Sequence, residues 1–95
     1  MINIAVVLPT SKTMIGSKSL KDLVEFYKRE SNPETSQICK AALACNARAY
    51  KLTFKTREFG TGENIKRIKH VSLGLDFDNL NDMCRFIHTY SMLVT

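Results

Sequence analysis

Ninety-five residues leave room for one modest hydrophobic core and exclude a second domain. An apolar content of 44% with 24% charged residues excludes a disordered chain, and no apolar run approaches the roughly 20 residues that a membrane-spanning helix needs. The net charge of +5 is moderate, so its placement along the chain matters more than its size.

Ile2, Ile4, Val6 and Val7 predict a strand over 2–8 that Pro9, lacking an amide hydrogen, brings to an end. This apolar start is too short, and lacks the basic leader, for a signal peptide or an anchor. A polar connection follows over 10–17, with Met14-Ile15-Gly16 expected to form a short helical turn. Leu20, Leu23, Val24 and Tyr27 recur at helical offsets and predict a helix over 19–30, with Ser19 and Asp22 as a capping pair and Phe26 off the main stripe. Asn32 and Pro33 then suit the cap and first turn of a second helix, over 33–46, whose small side chains Ala41, Ala42 and Cys45 line up with Ile38.

The next stretch, 48–77, reads as a β-hairpin. Tyr50, Leu52 and Phe54 alternate with Lys51, Thr53 and Lys55, which puts the first three on the core side. Val71, Leu73 and Leu75 alternate in the second arm, and Gly60 and Gly62 supply the reversal. Ile65 and Ile68 are three apart and cannot both keep phase with Val71, which predicts a bulge or a loose start to that second arm. A third helix is expected over 80–92, capped by Asp78 or Asn79, with Leu80, Met83, Ile87 and Tyr90 as its buried stripe and Cys84 beside it.

The expected fold is thus one α+β domain over 1–95: a small three-stranded, mostly antiparallel sheet with three helices on one face, in the order β-α-α-β-β-α. That order resembles one class of the KH RNA-binding domain, and Ile15-Gly16-Ser17-Lys18-Ser19-Leu20 resembles the start of its clamp loop. Ser19 stands where that loop has its second glycine and the helix over 33–46 falls outside the pattern, so the resemblance is one of element order alone.

Function is sought first where the charge is. Residues 48–69 hold seven basic side chains against Glu58 and Glu63, which is the whole net excess. Lys51, Lys55, Arg57, Lys66 and Arg67 are the candidate contact residues for an acidic partner. The same lysines are also what a sheet uses to keep its edge from pairing with another chain. The leading expectation is a non-enzymatic interaction protein, such as an adaptor, an accessory factor or a virus- or phage-type inhibitor, that meets an acidic protein surface through this hairpin. The alternative is RNA or DNA binding by the same hairpin, with Lys18, Lys21 and the Gly16 loop as a second contact. In that case Lys and Arg neutralise phosphates, and Tyr50 or Phe59 stacks on bases if either is exposed.

Other chemistries find less support. Cys84 and His88 share a helix face, but Cys39 and Cys45 are six residues apart rather than two to four, so no zinc pattern forms. Gly60-Thr61-Gly62 lacks the lysine of a phosphate loop, and no nucleophile elbow is present. No cofactor and no catalytic residue are expected. An odd number of cysteines without a secretory signal predicts reduced, largely buried thiols and a cytoplasmic or nuclear location. A symmetric homodimer, through an exposed edge strand or the Phe26 side of the first helix, is the self-partner that the sequence permits.

Overall fold

A computed structural model describes residues 1–10 and 19–94, with Arg57 described by its backbone alone. The expected helical turn at Met14-Ile15-Gly16 and most of the clamp-like loop, including Gly16 and Lys18, lie outside the described residues. The elements are β1 (Ile2–Leu8), α1 (Leu20–Arg29), α2 (Pro33–Ala44), β2 (Arg48–Phe59), β3 (Lys66–Phe77) and α3 (Leu80–Leu93), with a single 3₁₀ turn at Gly62–Asn64 in the hairpin tip.

β3 is central. It pairs antiparallel with β1 from Ile2–Phe77 to Leu8–Val71, and antiparallel with β2 from Arg48–Asp76 to Phe59–Lys66. The expectation of three regular strands needs correcting. Ala49 pairs with Leu75 but Lys51 pairs with Gly74, so Tyr50 is an extra residue that cuts β2 into 48–49 and 51–59. Four strand segments, not three, therefore stand with the three helices. The irregularity also falls on the arm opposite to the one expected: β3 runs unbroken from Lys66, with Ile68 facing away from the core and Ile65 outside the strand.

Alternation along β3 decides which face is covered. Val71, Leu73, Leu75 and Phe77 are fully buried and join Val6 and Leu8 of β1 under Leu20, Leu23, Tyr27, Ile38, Cys39, Ala42 and Phe86. Helix α1 ends where Ser31 takes a left-handed conformation (φ 57°), and the Asn32 amide then reaches back to the Tyr27 carbonyl at 2.9 Å. The Asn32 side chain caps α2 by accepting from the Thr35 amide at 3.2 Å, and Ser36 Oγ donates to the Val24 carbonyl at 2.9 Å, tying α2 to α1. Asn79, rather than Asp78, caps α3, accepting from the Asp82 amide at 2.9 Å. The Tyr90 hydroxyl fastens α3 to the sheet by donating to the Val7 carbonyl at 2.8 Å.

The buried stripe of α3 is also corrected. Leu80 and Ile87 are exposed, and the inward residue is Phe86, flanked by Met83, Tyr90 and Leu93. Both stripes contain Met83 and Tyr90 at helical spacing, and periodicity alone does not choose between them.

Two predictions arise from the cysteines and the phenol beside them. The thiols are largely but not all buried: Cys39 and Cys45 are buried while Cys84 is exposed. A thiol reagent such as DTNB is expected to modify one cysteine rapidly in the native protein and three after denaturation; fast native modification of two or more would contradict this packing. Burial pushes the Cys39 thiol up to about 12 and the Tyr27 phenol up to about 12, the latter raised further by the neighbouring Cys39 thiolate. Both values lie above the ordinary 9 and 10, so the folded state favours the neutral forms. Their contribution to stability is complete below those ordinary values and is lost as pH rises towards the folded values. The thermal midpoint should fall between pH 9 and 11 and fall less steeply in Cys39→Ala; a flat profile would refute it.

Among the described residues, no helix is long and apolar enough to cross a membrane.

Candidate functional site

With three helices on one face of the sheet, the other face is open. β3 presents Ser72 and Gly74 there, and register carries the assignment to its neighbours: Val7 and Thr53 flank Ser72, while Ala5 and Lys51 flank Gly74. Lys55 lies opposite His70 and Phe59 opposite Lys66 on the same side. Strand β1 stops at the Val71 position, so β2 and β3 continue together as a two-stranded ribbon of five further pairs, about 17 Å at the ~3.4 Å rise of an antiparallel strand. This ribbon accords with the elongation of the molecule, 45 Å long against 28 and 24 Å across.

The five expected contact residues separate. Lys51, Lys55 and Lys66 are exposed on the open face. Arg67 is exposed on the opposite face of the ribbon, where its Nε lies 3.0 Å from the Glu58 carboxylate directly across the ladder. Arg57 takes its place in the register opposite Ile68. At the base of the ribbon's track the charge changes sign, with Asp76 in the ladder and Asp78 paired to Arg48 at 2.7 Å. Lys21 is exposed on α1, on the helical side, and does not join the open face.

The bulge has a further effect. It turns Tyr50, expected in the core, onto the open face, where it is 39% exposed. Its ring lies across Gly74: a β-carbon placed on that glycine would sit 2.7 Å from Tyr50 Cζ and 2.9 and 3.1 Å from the two Cε atoms. Near-equal distances to three adjacent ring atoms mean that the ring covers the glycine with its face, since an edge-on ring would bring the hydroxyl closest. Phe59, 48% exposed, stands near the ribbon's tip on the same side. The sequence did hold a sign of this arrangement, because a glycine between Leu73 and Leu75 in a strand marks a close approach of another group.

Cys45 and Cys84 border a shallow groove between α2 and α3 with Arg85 and His88. Among the described residues no three metal-binding side chains come together. β2 is an edge strand of the sheet, and a bulge with Lys51 and Lys55 is the kind of feature that discourages edge pairing. Edge protection accounts for the lysines but gives no reason for two exposed aromatic rings among them.

No protein-family model matches the chain, and neither the curated proteins nor the solved structures contain a match.

Proposed function

We propose that the protein is a non-enzymatic binding module that holds single-stranded nucleic acid along the open face of its sheet and ribbon. One observation carries this reading: Tyr50 and Phe59 are exposed on the face that also bears Lys51, Lys55 and Lys66. Flat π-faces between ammonium groups match a ligand that alternates flat bases with phosphates. The reading implies a cytoplasmic or nuclear protein, where such strands occur and where three free thiols persist.

An acidic protein surface is the second reading. It is favoured by Ile65 and Ile68, exposed on the ribbon, which offer nothing to a base but suit the apolar centre of a protein interface. Fluorescence anisotropy with labelled single-stranded and duplex oligonucleotides, between 50 and 200 mM salt, separates the two. Salt-steep binding that prefers single strands supports the nucleic-acid reading. Folded protein that binds neither at 50 mM salt refutes it and leaves the acidic protein surface.

A further inference from the structure

The Tyr50 ring divides its two faces between the protein and solvent. The inner face lies on the Gly74 backbone, and only glycine leaves space for it there. Beside the ring, small residues keep the sheet low: Ala5, Gly74 and Ser72 form the floor of a shallow depression of about 160 Å³, walled by Lys51, Thr53 and Lys55. That is the volume of about five waters at ~30 Å³ each, enough for a phosphate and part of its sugar but not for a folded element. The Lys51 and Lys55 ammonium groups and the Thr53 and Ser72 hydroxyls line it beside the Tyr50 ring, and its lining contains no carboxylate.

We propose that Tyr50 is a stacking platform for one unpaired base, with Lys51 and Lys55 holding the adjoining phosphate and the Thr53 and Ser72 hydroxyls facing the sugar. This rests on the nucleic-acid reading and narrows it to one nucleotide subsite. A neutral sugar ring would stack equally well on tyrosine but would leave both ammonium groups unanswered, whereas a nucleotide supplies the flat face and the anion together. A paired base is stacked on both sides within its duplex and cannot lie on the ring, so the subsite selects single strands. The Tyr50 ring lies over Gly74 and Phe59 lies opposite Lys66, eight positions apart along β3, which is about 27 Å at ~3.4 Å per residue. At the ~3.4 Å axial rise per nucleotide of a stacked strand, that distance corresponds to about eight nucleotides.

An aromatic ring over a strand glycine also shields the backbone, a purely structural role, so the test must read something that shielding does not change. An octadeoxyadenylate and an abasic octamer of the same charge serve as paired probes. The wild type is expected to bind the octadeoxyadenylate at least tenfold more tightly, as base–aromatic stacking of ~1–3 kcal/mol per base implies. Tyr50→Leu should lose about tenfold of that preference with little change towards the abasic octamer, and Tyr50→Phe should keep it. Gly74→Ala, which lifts the ring without altering charge, should behave as Tyr50→Leu does. In the unmodified protein, the Tyr50 ring protons should move upfield in NMR spectra on addition of octadeoxyadenylate and stay in place with the abasic octamer, a readout that needs no variant to fold. Equal binding of both probes, or unmoved ring protons, overturns the platform while leaving a charge-driven nucleic-acid reading intact. Failure to bind either probe overturns that reading, and the platform with it.

Discussion

Phe86→Ala is expected to lower the stability of the protein by about 3–5 kcal/mol, the usual cost of removing a buried phenylalanine ring. Phe86 is fully buried, and its ring centroid lies 5.7 Å from that of Phe77 and 5.9 Å from that of Tyr90. Phe77 ends the central strand, so Phe86 connects α3 to the last turn of the core as well as to the residue whose hydroxyl holds β1. Its loss leaves a cavity that neither neighbour can close without abandoning its own contacts. Small domains have about 5–15 kcal/mol in all, so the variant stands near the limit of folding. Ile87→Ala is the matched control: Ile87 is adjacent in sequence and 40% exposed, and its truncation should cost well under half as much. Urea denaturation of both variants decides the matter. Equal losses would restore the stripe of Leu80, Met83, Ile87 and Tyr90 and rotate α3 away from its present packing.

That comparison also shows what could be read from the sequence. Helix positions came through because apolar offsets, Asn32-Pro33 and the run after Asp78 are local signals, and α1, α2 and α3 start within a residue of where these put them. The helix face did not. Met83, Phe86, Tyr90 and Leu93 satisfy helical spacing as well as the stripe through Leu80 and Ile87, and only the presence of Phe77 across the interface selects the first. The strands show the same division. Alternation located both hairpin arms, but side-chain phase is conserved only while the ladder is regular, and one extra residue at Tyr50 reverses the phase of what precedes it. Leu52 and Phe54 keep the core parity that alternation gave them, yet Phe54 lies where β1 ends and is exposed, because cover depends on which neighbours reach that point of the strand. Arg67 likewise joined Lys66 in the linear charge count, although neighbouring residues of a strand point to opposite faces and its carboxylate partner sits on the other arm.

Replacing Lys51, Lys55 and Lys66 together by Ser is expected to weaken binding of an eight-nucleotide single strand by roughly a hundredfold or more at 50 mM salt, and to make what remains much less sensitive to salt. Each phosphate neutralised on a single strand contributes ~0.7 to the slope of log affinity against log salt, so the loss of three lowers that slope by about two. The three lysines are exposed on one face, and none is among the ion pairs described, so their removal should leave the thermal midpoint nearly unchanged. Arg67 supplies the internal control. It is next to Lys66 in the strand but lies on the far face with its charge directed at Glu58, and Arg67→Ser should therefore alter the slope little. Binding that follows net charge alone would respond to any of these residues in proportion to the charge removed. Binding along the open face responds to Lys51, Lys55 and Lys66 and spares Arg67, and a triple variant with an undiminished salt slope would take the ligand off that face altogether.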